Sequence, residues 1–233
     1  MSRADYGIDR PDFLISAGAL GSALVISGTV DSQLLPLAAV GAVLILFALV
    51  FLWDSKSLKP RRMKRLIDSL QWRGDENVLD VGCGRGLFLV SSAKHLHAGS
   101  SQGIDLWRAR LQTGNSPSSA LANALVEGVA PNVGVEEADA RYIPFADSTF
   151  DVVFASLVLH HIGRASERRK ALAEIERVLK PRGLVVIVDS YLSEHSKELA
   201  SLGISDQRIL SWGPLSFMGT RVLTAKRREK TET

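Results

Sequence analysis

The residues whose types and spacing point most clearly to chemistry are three closely spaced glycines after an apolar run. Residues 78–81 are predicted to form a buried strand, and Gly82, Gly84 and Gly86 follow it, before an apolar segment predicted to be helical from about 87 to 97. Glycines in such a turn permit positive φ angles and let the backbone come close to a ligand. The free N–H groups at the start of the helix point to the same place. The pattern indicates a site for a nucleotide-type cofactor.

The spacing of these glycines restricts the type of cofactor. A dinucleotide-binding turn has the spacing G-x-G-x-x-G, and Leu87 stands where its last glycine is required. The observed G-x-G-x-G spacing therefore argues against a nicotinamide cofactor. An ordinary strand-to-helix turn without a ligand is the structural alternative.

The elements that must position these residues follow from the pattern after residue 76. Strands and helices alternate there, which indicates a parallel sheet covered by helices on both faces. The predicted strands lie near 77–81, 102–105, 133–137, 151–155, 184–188, 207–212 and 220–226, and the predicted helices near 87–97, 117–127, 165–179 and 193–202. Ligands in such open sheets bind beyond the carboxyl ends of the strands.

Three carboxylates are predicted to lie at those strand ends. Asp80 precedes the glycine turn, Asp105 ends the second strand and Asp139 follows the third. The two acceptor oxygens of Asp105 could bind both hydroxyls of a ribose. With the glycine turn, they favour an adenosine-containing cofactor.

The order and spacing of these motifs over residues 76 to 190 resemble the class I S-adenosylmethionine-dependent methyltransferases. The resemblance implies an α/β Rossmann-like fold with a seven-stranded, mostly parallel sheet that ends in an antiparallel strand pair. It implies S-adenosylmethionine as cofactor and methyl transfer as the activity. The cofactor-binding positions that it implies are Asp80, Gly82, Cys83, Gly84, Gly86, Asp105, Leu106, Asp139 and Ala140.

The resemblance also implies a role for each of these positions. Asp80 would orient the methionine amino group through the turn, and Asp105 would bind the ribose, with Leu106 or Trp107 against the adenine. Asp139 would accept from the adenine amino group while Ala140 packs on the ring. Cys83 is expected to be a small packing residue of the turn and not a nucleophile.

Two adjacent histidines follow the fourth predicted strand, where acceptor and methyl group should meet. His160 and His161 are the candidate catalytic residues, since imidazole titrates near neutral pH and could take a proton from the acceptor. A helix-cap or packing role is the alternative. Ser190, Tyr191 and residues 212–219 could wall the acceptor pocket, or the last segment could simply close a turn.

Charge and composition exclude several other functions. The net charge of +3 comes from one cluster at residues 54–65, which carries +5, so the rest of the chain carries −2. A local cluster does not support a nucleic-acid-binding face. The single cysteine permits no internal disulfide, and His195 and the pair His95 and His97 are poorly arranged for a metal, so no metal is predicted.

Two uncharged apolar runs precede the predicted sheet, at about 13–30 and 34–53. Each has the length of a membrane-spanning helix, and the polar break at 31–33 suits a hairpin turn. Small residues spaced four apart, Ala17 with Gly21 and Ala38 with Ala42, would allow the two helices to pack closely. A signal peptide and a buried soluble hairpin are the alternatives. The cations after Trp53 predict that both termini are cytoplasmic. They could also bind anionic lipid headgroups, although a topology signal alone explains them equally well.

The expected organisation is a cytoplasmic segment 1–12, a transmembrane hairpin 13–53, a basic juxtamembrane linker and helix 54–74, a methyltransferase domain 75–228 and a tail 229–233. Pro60 is expected to separate the spans from an amphipathic helix near 63–71.

A closer resemblance covers nearly the whole chain. The segments Tyr6–Pro11, Asp105–Trp107, Gln112–Asn115 and Asn123–Ala124 resemble a group of uncharacterised bacterial membrane-anchored methyltransferases. It implies an inner-membrane enzyme but no particular substrate. The two spans alone motivate the hypothesis of a small acceptor that is hydrophobic or lipidic and is reached from the bilayer. A membrane-tethered S-adenosylmethionine-binding sensor or scaffold without turnover is the alternative.

Overall fold

The N-terminal part of the chain forms a hairpin of two helices. The computed structural model describes residues 4–108, 111–190, 192–211 and 221–229. Helix α1 (Pro11–Val30) and helix α2 (Leu35–Trp53) are joined by a short 3-10 turn at Ser32–Leu34. The Asp31 side chain accepts a hydrogen bond from the Gln33 N–H and stabilises this turn. By length and composition both helices could cross a membrane, a property that signal sequences and core helices share.

Small residues bring the two helices into backbone contact. Ala17 and Gly21 are buried on α1, as their spacing predicts, and Gly41 is buried on α2. A Cβ on Gly41 would lie 2.5 Å from the carbonyl oxygen of Gly21. The sequence also predicts Ala42 at this contact, which is wrong, because the hairpin register turns Gly41 inward and leaves Ala42 exposed.

The expected break at Pro60 is absent. Helix α2 continues through one π-helical turn, Asp54–Leu58, into helix α3 (Lys59–Asp68). Pro60 lies in the first turn of α3, directly after this wider turn. Proline is tolerated at that position because the helix does not need the N–H that proline lacks. The apolar face predicted for this helix is correct: Met63, Leu66 and Ile67 are buried.

A mixed seven-stranded sheet forms the rest of the fold. Its strands are β1 (Asn77–Val81), β2 (Ser100–Asp105), β3 (Val133–Glu137), β4 (Phe150–Ser156), β5 (Leu179–Asp189), β6 (Ile204–Ser211) and β7 (Arg221–Arg227). Their order is β3-β2-β1-β4-β5-β7-β6, with β7 antiparallel to both β5 and β6. The Rossmann-like α/β fold and the final antiparallel pair are therefore confirmed. Residues 212–219, Tyr191 and the tail beyond Glu229 lie outside the described residues.

Four helices connect the strands: α4 (Leu87–Ala93), α5 (Pro117–Val126), α6 (Ala165–Val178) and α7 (Leu192–Ser201). Apolar side chains fill both faces of the sheet. Leu79, Val153 and Ile187 belong to one buried cluster, while their neighbours Val78 and Phe154 belong to the cluster that includes α3. This alternation is that of strands buried on both sides. The chain reverses its strand order at β1, so the carboxyl ends of β1 and β4 mark the expected ligand crevice.

Candidate active site

The glycine turn has the backbone conformation that its sequence requires. Gly82, Gly84 and Gly86 have φ angles of 72°, 54° and 84°, which disfavour any residue with a Cβ. A Cβ on Gly82 would lie 2.6 Å from the Val158 side chain, and a Cβ on Gly84 would lie 2.6 Å from Gln112 Oε1. The turn is therefore held closely from two sides.

Asp80, at the end of β1, has one carboxylate oxygen without a partner. The residue is only 1% exposed, and Oδ2 accepts a hydrogen bond from the Leu89 N–H at 2.9 Å. Oδ1 is buried and has no hydrogen-bond donor among the described residues. Burial, with a smaller contribution from the charge of Asp105, raises the pKa of Asp80 to about 7. A ligand that brings an N–H or a positive charge would satisfy this oxygen and favour its ionised form.

Asp105, at the end of β2, faces the same turn. Its Oδ2 accepts from the Gly84 N–H at 2.9 Å and its Oδ1 from the Trp107 N–H at 2.7 Å. Each oxygen keeps a second lone pair, so the carboxylate could still bind hydroxyl groups. Leu106 is 38% exposed and lines the cavity beside it. Trp107 packs against the buried cluster with Leu89, so Leu106 is the better placed of the two to contact an adenine.

Cys83 is buried inside the turn. Its Sγ would lie 2.7 Å from a Cβ on Gly103, so the thiol fills the space that this glycine leaves between β2 and the turn. Burial raises the pKa of the Cys83 thiol well above its ordinary value. Because the thiolate is the reactive form, this environment suits packing and not nucleophilic attack.

Asp139, which follows β3, is held by an arginine that sequence reasoning missed. Its Oδ1 accepts from the Arg141 N–H and from Nε, both at 2.9 Å, and its Oδ2 from Nη2 at 2.6 Å. These hydrogen bonds hold the pKa of Asp139 below its usual range. Arg141 also donates to Glu167 on α6 at 2.7 Å. Asp139 thus retains at least one lone pair for a ligand, and Ala140 is buried in the cavity wall beside it.

The two predicted catalytic histidines lie together at the ends of β4 and β5. Their ring centroids are 3.9 Å apart, and both line the cavity. His160 Nδ1 lies 3.2 Å from a carboxylate oxygen of Asp189, which has no exposed surface. Burial, with repulsion from His160 in its protonated form as a smaller cause, lowers the pKa of His161 to about 4, so this ring is neutral at physiological pH. The pair therefore contains one imidazole with an acidic partner and one that stays uncharged.

Asp189 was not among the predicted site residues. Burial disfavours its charge, but the hydrogen bond with His160, the attraction to that ring in its protonated form and the hydrogen bond from the Ser190 N–H outweigh burial. They keep the pKa of Asp189 below its usual value. His195, which the sequence suggests is isolated, is buried on α7 and interacts electrostatically with Asp189. The signal that could have identified Asp189 is the one used for Asp105, a carboxylate at the carboxyl end of a parallel strand.

One cavity of about 800 Å³ joins these groups. Its wall extends beyond the sheet to the N-terminal segment and the base of the hairpin, including Tyr6, Arg10, Phe51, Ser55 and Lys59. Ser190 also lines it. Nothing in the single sequence indicates that residues before position 60 reach the site, because their contacts with it span long sequence separations. In the part of the chain that the structure describes, no group of three or more His, Cys, Asp or Glu side chains is placed to hold a metal.

Part of the chain is similar to known proteins. Residues 79–187 match a family model described as a methyltransferase domain. The chain is 30% identical over 129 residues to the uncharacterized methyltransferase YcgJ of Bacillus subtilis, covering 55% of this chain and 46% of that protein. It is 31% identical over 130 residues to the demethylmenaquinone methyltransferase of Lactiplantibacillus plantarum, covering 54% and 50%. The chain spans about half the length of these curated relatives.

The solved structures show the same fold. A SAM-dependent methyltransferase from Aquifex aeolicus is similar with a TM-score of 0.56 at 22% identity, covering 70% of this chain and 87% of that one. The chain therefore has the Rossmann-like fold of the class I methyltransferases, and residues 79–187 are similar to a methyltransferase domain. The cofactor of this class is S-adenosylmethionine. The unpartnered oxygen of Asp80 and the positive φ angles of the glycine turn fit such a ligand.

Proposed function

We propose that this protein is a membrane-anchored methyltransferase that transfers a methyl group from S-adenosylmethionine to a small hydrophobic or lipidic acceptor. The observation that carries the proposal is a single cavity with two chemically different sides. Asp80, Asp105 and Asp139 line it on the side of β1, β2 and β3, while His160 lines it on the side of β4 and β5. The carboxylates suit the cofactor, and the histidine suits an acceptor that must lose a proton.

The residues on the carboxylate side bind and orient the cofactor. Asp80 Oδ1 would bind the methionine amino group, Asp105 would accept from the ribose hydroxyls, and Asp139 would accept from the adenine amino group, with Ala140 against the ring. The glycine turn, whose positive φ angles glycine adopts without strain, would bring its backbone close to the cofactor. S-adenosylmethionine, when bound, supplies a methyl group that its sulfonium charge has already activated. The protein therefore has to align an acceptor and accept its proton.

The histidine side moves that proton. With Asp189 ionised next to Nδ1, His160 carries its proton on Nδ1, which leaves Nε2 as the nitrogen that can accept. An acceptor hydroxyl hydrogen-bonded to Nε2 would give its proton to the ring, which would make its oxygen the nucleophile. The methyl group would come from S-adenosylmethionine, whose methyl–sulfur bond would break to leave S-adenosylhomocysteine. His161 stays neutral and adds no competing positive charge beside this base.

The hairpin supports the membrane part of the proposal. The most apolar 18-residue windows of its two helices are only 17% and 11% buried, so neither helix behaves as the core helix of a soluble protein. A helix pair with exposed apolar side chains all round needs a lipid environment or another apolar cover. The cations that follow α2 support a cytoplasmic location for the methyltransferase domain, at the inner membrane.

Two observations support a lipidic acceptor. The cavity reaches Phe51 in the last turns of α2, so it continues to the level at which this helix would leave the bilayer. One relative is named for demethylmenaquinone methylation. Membrane lipids would therefore be both the anchor's environment and the source of the substrate.

The test is transfer of radiolabelled methyl from S-adenosylmethionine by detergent-purified full chain to a membrane extract of the host, followed by phase partition. Label in the organic phase is the expected result. Label in the aqueous phase would keep the enzyme and contradict the lipidic acceptor. Cofactor binding without any transfer would favour the sensor or scaffold. Recovery of the chain in the soluble fraction of lysed cells would contradict the anchor.

A further inference from the structure

The N-terminal segment at residues 5–10, called the strap below, crosses the cavity between the hairpin and the sheet. Tyr6, Asp9 and Arg10 line the cavity from this segment. The proposed function gives the strap no role, although the strap contains most of the segment Tyr6–Pro11 that resembles the membrane-anchored methyltransferases. Its contacts lead in two directions, toward the glycine turn and toward the base of the hairpin.

Asn123 on α5 joins the strap to the glycine turn. Its Oδ1 accepts from the Asp5 N–H at 3.0 Å, and its Nδ2 donates to the Asp5 carbonyl and to the Arg85 carbonyl, both at 2.9 Å. Arg85 lies between Gly84 and Gly86, and its Nη2 is 3.2 Å from Asp5 Oδ2. The side chain of Asn123 is 5% exposed and has every polar atom engaged in this junction.

Gln112 makes a second junction of the same kind. Its Oε1 accepts from the Arg85 N–H at 3.0 Å, and its Nε2 donates to the Tyr6 carbonyl at 3.0 Å. The strap also pairs with the loop that carries Gln112: the Ile8 N–H donates to Thr113 Oγ1 at 2.8 Å, and the Thr113 N–H donates to the Ile8 carbonyl at 3.0 Å. The glycine turn and the strap are therefore held by shared residues.

Gly7 allows the strap to lie this close. It has a φ of +73°, and a Cβ there would lie 2.8 Å from the Thr113 carbonyl oxygen and 2.9 Å from Arg85 Cδ. A substitution would strain the backbone and push the strap away from the turn.

The other end of the strap is fixed to the hairpin. The Asp9 N–H donates to Ser55 Oγ at 3.1 Å, and Asp9 Oδ2 accepts from Lys59 Nζ at 2.6 Å. Ser55 and Lys59 lie in the π-helical turn and at the start of α3. A continuous set of hydrogen bonds thus runs from the base of the hairpin, through the strap, to the glycine turn.

We infer that the strap is part of the cofactor site and that the hairpin holds it in place, with Gln112 and Asn123 as positioning residues for the glycine turn. The inference rests on the proposed function, since it takes the glycine turn to be where S-adenosylmethionine binds. The hairpin is then a structural part of the site in addition to an anchor. Cofactor affinity depends on residues that do not touch the cofactor.

The test is calorimetric titration of the full chain in detergent with S-adenosylmethionine. The strap-side variants are Asn123→Ala, Gly7→Ala and Thr113→Val, none of which alters a cavity-lining side chain. Loss of one such hydrogen bond, as in Thr113→Val, is expected to weaken binding about threefold, and Asn123→Ala about tenfold or more. The double variant Ser55→Ala, Lys59→Met removes both side-chain contacts between the hairpin and Asp9, and it is expected to weaken binding at least about threefold.

Asn132→Ala is the matched control. Asn132 donates one hydrogen bond to the Leu96 carbonyl at 2.9 Å, away from the strap and the cavity. The melting temperature of the Asn132→Ala variant should fall, while its affinity for S-adenosylmethionine should stay within about twofold of that of the unaltered chain. A merely structural role of Asn123 would give the same pattern as this control.

The outcomes separate the two proposals. If the unaltered chain binds S-adenosylmethionine and the strap-side variants bind as the control does, the strap inference is wrong and the proposed function stands. If only the double variant Ser55→Ala, Lys59→Met behaves as the control, the hairpin's part is wrong. If the unaltered chain does not bind S-adenosylmethionine, both the proposed function and the inference fail.

Discussion

The Nδ1 atom of His160 lies 3.2 Å from a carboxylate oxygen of Asp189, and the main-chain N–H of His160 donates to the same carboxylate at 3.1 Å. Asp189 therefore fixes both the backbone and the ring of His160. An imidazole oriented in this way has one defined tautomer, with Nε2 as the accepting nitrogen. The proposed proton transfer depends on this pair.

Loss of the pair should reduce turnover without reducing cofactor binding. In His160→Gln the base is absent, and in Asp189→Asn the preferred tautomer is lost, so we expect kcat to fall roughly 100-fold in each. The rate of label transfer to the host membrane extract measures this, and calorimetry with S-adenosylmethionine should give unchanged affinity. His95→Gln, which alters a histidine paired with Asp68 outside the cavity, is the control. Full activity in both site variants would exclude His160 as the base.

The unusual pKa of Asp80 should appear in the stability of the ligand-free protein. Its folded pKa is about 7, and the unfolded value is near 3.8. Between these values the folded chain holds a proton that the unfolded chain has released, so stability is lost as pH rises through about 7. The melting temperature of the unaltered chain should include a decrease between pH 5 and pH 8 that is missing in Asp80→Asn.

The same substitution should separate stability from function. Asp80→Asn should melt at a higher temperature than the unaltered chain at pH 8, because an amide carries no buried charge, and it should bind S-adenosylmethionine more weakly. A variant that keeps the full pH slope would show that another group causes it. Melting curves across this pH range, with and without cofactor, provide the measurement.

The close approach of Gly21 and Gly41 predicts that substitutions at neighbouring positions on α2 change the melting temperature by very different amounts. Gly41→Val places a branched side chain against the α1 backbone and should lower the melting temperature of the detergent-purified chain. Ala42→Val places the same side chain at an exposed position and should leave the melting temperature nearly unchanged. Equal melting temperatures for the two variants would contradict the described packing of the hairpin.

Local patterns in the sequence identified most of the fold. The strands predicted at 77–81 and 133–137 have the observed bounds, because buried strands bounded by turn residues leave a clear local pattern. Two local expectations were wrong for physical reasons. Pro60 does not end the helix, since a π-helical turn accommodates it, and Ala42 does not face α1, since interhelical register depends on packing across the hairpin.

The parts of the site that the sequence did not reveal depend on distant contacts. The glycine turn and the strand-end carboxylates are local signals, and the structure brings them to one cavity. The hydrogen bonds between Asp5 and Asn123 join residues 118 positions apart, and no local pattern predicts them. Arg141 lies two residues from Asp139, but its pairing depends on the conformation of the loop after β3.

The measurement that tests the central claim most directly is calorimetric titration of the full chain with S-adenosylmethionine, repeated with Asp105→Ala. Asp105 ends β2 beside the glycine turn and should bind the ribose. The account predicts binding at one site in the unaltered chain and an affinity at least about tenfold weaker in Asp105→Ala. Asp147→Ala, which alters a carboxylate outside the cavity, should bind as the unaltered chain does. Equal affinity in Asp105→Ala and the unaltered chain would contradict the assignment of this cavity as the cofactor site.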